Sequence, residues 1–83
     1  MDGYHFGMST EERRALRGDI FRGWLLDFIA DYAEEHGYAP SIRDMAIGLR
    51  VSSTSVIKYH LDVLERDGRI VRDRKRGRTV RIA

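Results

Sequence analysis

Cysteine is absent from these 83 residues, which rules out a disulfide frame and any Cys-based zinc site. Histidine is scarce: His5, His36 and His60 stand far apart and lack the spacing of metal ligands. Apolar runs are short, none approaching the roughly 20 residues that a membrane span requires. The opening Met1-Asp2-Gly3-Tyr4-His5 lacks the basic-then-apolar pattern of a secretory signal. A reducing, cytoplasmic setting is the expectation. No internal repeat, low-complexity segment, nucleophile–base pair or phosphate-cradling loop is visible. Catalysis, a cofactor, a metal and a small-molecule substrate are therefore not expected. Glu34–Glu35 resembles a hydrolase carboxylate pair only superficially, because adjacent helical positions point about 100° apart.

What is present is charge, unevenly spread. The chain carries a net +2, but Met1–Arg50 sums to −3 and Val51–Ala83 to +5. A near-neutral scaffold with a basic end is the footprint of a nucleic-acid binder. A solvated basic surface would look the same, so the pattern of elements has to decide. At this length there is room for one domain with one small core.

Residues 1–18 read as a loose arm carrying a short helix over 10–17. Ser9 and Glu12 have capping-box spacing at its start, Gly18 is a stop or kink, and Asp19 is a cap candidate for the next helix. Phe21, Leu25, Phe28, Ile29 and Tyr32 recur at three- and four-residue steps, predicting a helix from about Ile20 to Glu35. Trp24 lies off that stripe, placed to cover the edge of the core. Gly37 supplies a C-cap and Pro40, the only proline, blocks continuation. Ser41 is the N-cap candidate of a short second helix in which Asp44 favours the first turn and Met45, Ala46 and Leu49 face inward. Ala46 and Gly48 are small where a third helix is expected to cross. Ser52 or Ser53 caps that helix, predicted over Thr54–Arg66, with Ile57, Leu61 and Leu64 buried. On a helical wheel Ser55, Val56, Lys58, Tyr59 and Asp62 then point outward.

Gly68 ends the third helix. Ile70-Val71-Arg72 and Thr79-Val80-Arg81-Ile82 are β-prone runs around the polar loop Asp73–Arg78, the pattern of a hairpin. The expected fold is mainly α with a small β-hairpin, a three-helix winged helix-turn-helix over residues 19–83. In such a fold a short helix braces a second helix against the major groove while the hairpin grips the neighbouring backbone.

With those residues laid out, the chain resembles the N-terminal DNA-binding domain of the LexA repressors of the bacterial SOS response. The resemblance rests on Leu26-Asp27-Phe28-Ile29 and Gly37-Tyr38-Ala39-Pro40-Ser41-Ile42-Arg43-Asp44-Met45-Ala46. It continues through Ser52-Ser53-Thr54-Ser55-Val56-Ile57, His60-Leu61, Leu64-Glu65 and Asp67-Gly68-Arg69-Ile70. It covers roughly Asp19 to Ile82 without gaps. Arg50 departs from it, standing where family members usually have glycine, so a left-handed residue costing about 1 kcal/mol is expected there. Family members also continue into a self-cleaving Ser/Lys peptidase domain. Nothing in these residues supplies one, so the chain is read as an excised DNA-binding domain or a small stand-alone relative.

The resemblance implies that Ser53, Ser55, Val56, Lys58 and Tyr59 meet base edges. The chemistry suits each. Serine hydroxyls donate and accept near a helix start, lysine donates to guanine O6 and N7, valine meets a thymine methyl, and tyrosine bonds a base or phosphate. Each also has a plainer role: Ser53 as N-cap, Val56 at the core edge with Val63, Tyr59 over the wing. Lys58 has no structural duty on its exposed face. Arg72, Arg74, Lys75, Arg76 and Arg78, opposed only by Asp73, are expected to contact phosphates, one reaching into the minor groove. Arg43 reaches a phosphate or pairs with Asp44 or a first-helix acid. His60 reads as a partly buried packing residue.

The expected partner is double-stranded DNA at an operator in the nucleoid. Few base contacts per copy imply two copies on an inverted repeat. The resemblance places dimerisation mainly in the missing domain, leaving Ser9–Phe21 or the DNA itself to pair the copies. The alternative is a winged helix whose basic wing docks on an acidic protein, since this fold is widely reused.

Overall fold

The computed structural model describes residues 10–83, the side chains of 11–16 excepted. Three helices, α1 (Thr10–His36), α2 (Ile42–Gly48) and α3 (Thr54–Arg66), precede strands β1 (Ile70–Val71) and β2 (Arg81–Ile82). The strands pair antiparallel, Ile70 with Ile82 and Val71 with Arg81. The architecture is the winged helix-turn-helix expected from the sequence.

The break expected at Gly18 does not occur. α1 passes through it as one 27-residue helix. Asp19, read as an N-cap, instead pairs with Arg22 one turn on at 2.7 Å. A glycine inside a helix costs about 1 kcal/mol, too little to interrupt one whose later turns are anchored by packing. The arm over Met1–Met8 and the capping residue Ser9 lie outside the described residues.

The core is a single apolar cluster: Leu25 and Ile29 from α1, Met45 and Ala46 from α2, Ile57, Leu61 and Leu64 from α3, Ile70 and Val80 from the hairpin. Ile57, Leu61 and Leu64 are buried as their spacing predicts. Trp24 departs from expectation: it is 59% exposed and does not close the core edge. The partly buried aromatic on that side of α1 is Phe28. A Cβ on Gly48 would lie 2.2 Å from the Phe28 ring, so Gly48 is small because α1 presses against α2. The sequence reading had placed α3 there.

Local chemistry fixes the joints. Gly37 takes φ +80° and its amide bonds to the Ala33 carbonyl at 2.8 Å, closing α1. α2 opens on a complete capping box, in which the Ser41 hydroxyl accepts from the Asp44 amide and Asp44 Oδ2 accepts from the Ser41 amide, each at 3.0 Å. After α2 the Val51 amide reaches back to the Ala46 carbonyl at 2.8 Å, which throws Arg50 to φ +59°. The left-handed residue expected from the missing glycine is therefore found, and it lets the chain turn into α3. Ser53 caps α3, its hydroxyl accepting from the Ser55 amide at 3.2 Å. Gly68, at φ +74°, releases the chain into the hairpin.

Candidate nucleic-acid interface

Because Ile57, Leu61 and Leu64 turn inward, the opposite face of α3 is committed to solvent. Ser55, Val56, Lys58 and Tyr59 are all exposed there, with Ser53 just before them. Val56 does not join the core. Tyr59 sets its ring edge-on against His60, 5.1 Å between centroids. Ser53 is a true N-cap, yet its hydroxyl hydrogen is unused by that role and can still be donated. Lys58 makes no ion pair among the described residues.

A groove of about 530 Å³ runs between the start of α2, the outer face of α3 and the wing loop. Arg43 of α2, Lys58 of α3, and Lys75 and Arg76 at the wing tip all line it. These four cations come from three separate elements, and no carboxylate pairs with them among the described residues. Among the described residues Arg43 thus pairs neither with Asp44 nor with a first-helix acid. Ser53, Ser55, Val56 and Tyr59 lie outside the groove, on the exposed beginning of α3. Two contiguous surfaces result, one of small polar and apolar groups and one strongly basic.

The wing loop holds its shape by local bonds. The Asp73 carboxylate accepts the Lys75 amide at 3.0 Å, and the Thr79 hydroxyl accepts the Asp73 amide at 2.9 Å. Asp73, which seemed in sequence merely to oppose the basic run, is a turn-forming residue.

Three wing arginines behave differently from the expectation that they point at phosphate. Arg72 is drawn down onto α3, its side chain only 10% exposed. One nitrogen bonds Asp62 and its Nε lies 3.4 Å from Glu65 Oε1. Arg74 lies over the same two acids, its Nη2 2.9 Å from Asp62 and 2.8 Å from Glu65, yet stays 61% exposed. Those contacts hold Glu65 below its ordinary value of 4.5, chiefly through the Arg74 hydrogen bond. Arg78 serves the far end of the wing. In a left-handed conformation at φ +58°, it bonds Asp44 at 2.9 Å and the Ala39 carbonyl at 3.2 Å, with its guanidinium over the Tyr38 ring. In this conformation Arg72 and Arg78 fasten the wing to the helices. The sequence reading missed their partners, although Asp62 and Glu65, three apart on one helix face, were a usable signal.

Asp44 connects α2 to that far fastening, accepting also from the Tyr32 hydroxyl at 3.1 Å. Its carboxyl is held below its ordinary 3.8, first by the Ser41 backbone hydrogen bond. His60 is half-buried against Phe21, 4.7 Å between rings, and Arg22 lies 3.1 Å from its Nδ1. Burial, then the Arg22 charge, lowers its pKa below 6.5, so it is a neutral packing group as expected. No group of metal-ligating side chains occurs among the described residues, and no helix there is long and apolar enough to cross a membrane.

A family model described as the LexA DNA binding domain matches residues 23–79, from the middle of α1 to the wing. The chain is 50% identical over 74 residues to a LexA repressor of Roseiflexus sp., covering 89% of this chain and 32% of that protein. It is 39% identical over 79 residues to the LexA repressor of Corynebacterium jeikeium, covering 95% and 26% respectively. With the LexA repressor of Pseudothermotoga lettingae it shares 41% over 58 residues, 70% of this chain and 28% of the relative. The chain spans about a third or less of the length of these relatives.

Proposed function

This chain belongs to the family of LexA DNA-binding domains, and on that premise we propose that it is the operator-reading part of a transcriptional repressor. It recognises double-stranded DNA by sequence, with residues 19–83 as the binding unit. The observation that carries the reading is the position of Lys58. It is exposed at the centre of α3, unpaired among the described residues, and shares a basic groove with the wing tip. A helix whose inner stripe is buried and whose outer stripe ends in a free ammonium suits major-groove insertion.

Roles follow from chemistry. Lys58 donates to guanine, Ser55 and Tyr59 offer hydroxyls, and Val56 meets a thymine methyl. Ser53 contributes its spare donor near the helix start. Arg43, Lys75 and Arg76 take phosphates on either side. Three such phosphate contacts per copy give a slope of log affinity against log salt of about −2.7. A slope of about −4.5 would take five phosphates, more than the unpaired cations of the groove can neutralise. One copy reads few bases, so tight binding takes two copies on an inverted repeat. A place in the SOS response and in the nucleoid goes with the repressor role. We assign no catalysis to this domain.

The test is selection of a duplex from a random library by the 83-residue chain, followed by salt titration of the winner. Lys58→Ala is expected to relax sequence preference at the positions it reads, and Arg76→Ala to weaken all duplexes alike. If no duplex binds at moderate salt, the reading fails and docking of the basic wing on an acidic protein replaces it.

A further inference from the structure

The outer face of α3 carries an apparent contradiction. Lys58, Asp62 and Glu65 follow one another at helical spacings of four and three, so two carboxylates stand directly below the proposed base reader. Asp62 lines the same groove as Lys58. Carboxylates on that face oppose a polyanion. The wing supplies the answer: Arg74 lies across both acids, ion-paired with Asp62 at 2.9 Å and donating to Glu65 at 2.8 and 3.1 Å. Arg72 engages the same pair from below, almost out of solvent. Two guanidinium groups and two carboxylates make a plate of zero net charge joining the wing root to the recognition helix.

We infer that Arg74 acts on DNA as a positioning and neutralising residue: it cancels Asp62 and Glu65 on the recognition helix and ties the wing to it, and is not itself a phosphate ligand. This rests on the DNA-binding reading above. Nε and Nη2 both point at Glu65, so one of the two edges of the fork that could grip a phosphate in two places is occupied, and Nη2, shared with the other edge, is already engaged. Arg72 stabilises the joint beneath it. The wing residues thus divide by task. Lys75 and Arg76 at the tip meet the backbone, while Arg72 and Arg74 at the root make the acidic end of α3 tolerable to it. Losing Arg74 leaves one guanidinium against two carboxylates, so the plate itself carries a net −1 beside Lys58.

Removal and neutralisation predict opposite things for a ligand and for a neutraliser. The measurement is fluorescence anisotropy of the wild-type chain and three variants, Arg74→Ala, D62N/E65Q and D62N/E65Q/R74A. Each is titrated with the library-selected duplex and with a mixed-sequence duplex at several salt concentrations. Arg74→Ala is expected to lose about tenfold affinity for both duplexes through like-charge repulsion, with the salt slope unchanged from wild type. D62N/E65Q/R74A is expected to return to within about twofold of D62N/E65Q, the coupling a double-mutant cycle isolates. Circular dichroism melting checks that each variant remains folded. Arg74 is largely exposed, so its truncation leaves the core untouched. The assignment is overturned by a slope that falls by about 0.9 in Arg74→Ala, by a defect that persists with both acids neutralised, or by no defect at all. If the wild-type chain itself binds no duplex, the underlying DNA reading has failed instead, and the two failures are separated by that first titration.

Discussion

The helical body and the wing of this domain are held by different physics. In the body, Leu25, Ile29, Met45, Ile57 and Leu61 from three helices are almost wholly removed from water and touch one another. In the wing, only Ile70 and Val80 are buried, and the remainder is fastened by guanidinium groups at two points. Arg72 and Arg74 fasten the root to Asp62 and Glu65. Arg78 fastens the far end to Asp44 and to the Ala39 carbonyl. Apolar burial is insensitive to salt and defines a rigid helix orientation. Exposed ion pairs are weak and screened, so they direct a short hairpin without freezing it. A base reader gains from the first kind of support. A phosphate-contacting loop gains from the second, because it has to adapt to a backbone that varies in shape.

The difference can be broken most sharply from the body. Leu61→Ala removes a fully buried side chain at the junction of the helices and is expected to cost about 2–5 kcal/mol, lowering the melting temperature of body and wing together. Denaturant unfolding followed by circular dichroism checks it, and separate transitions for helix and hairpin would contradict a shared core. Gly48→Ala comes next, at about 1–3 kcal/mol, since the new methyl collides with the Phe28 ring and pushes α1 from α2. Differential scanning calorimetry would show it. A neutral outcome would mean that Phe28 moves aside freely.

Arg78→Ala sharpens the contrast from the wing. Global melting is expected to stay close to wild type. Hydrogen exchange of the bonded wing amides, including Asp73 and Arg76, should accelerate while those of α3 stay protected. Equal acceleration in both would mean that the wing and the body open as one unit.

The smallest effect is with acid. His60, Glu65 and Asp44 all have folded pKa values below their ordinary ones. Each therefore contributes stability that is full above its unfolded value and is lost as pH falls through its folded value. The first loss begins below about 6.5 from His60, and the second below about 4.5 and 3.8 from Glu65 and Asp44. Melting temperature against pH should show two shallow steps. His60→Gln should erase the upper one only.

Much of the fold is legible in the chain because its signals are local. The three-four spacing of Ile57, Leu61 and Leu64 fixes which face of α3 is inward, and with it the outward placement of Lys58. Ser41 announces an N-cap with Asp44 in the first turn after it, and Arg50 in place of glycine announces a left-handed turn. What was not legible depends on residues distant in sequence. The stop read at Gly18 fails because packing of the later turns outweighs one glycine. Trp24 is left outside because Phe28, not Trp24, meets α2. The wing cations look equivalent in a run of basic residues, yet Arg72, Arg74 and Arg78 have carboxylate partners on helices and Lys75 and Arg76 have none among the described residues.

Sequence by itself determined the order of elements, the inward face of each helix and the concentration of positive charge after residue 50. Those properties depend on periodicity, capping and composition, which act within a few turns of chain. Only the tertiary structure decided which cations are spent within the molecule and which remain for a partner. Pairing of Arg72 and Arg74 with α3, and of Arg78 with α2, requires the hairpin to fold back over helices 7 to 34 residues away, and that geometry is set by how the helices pack.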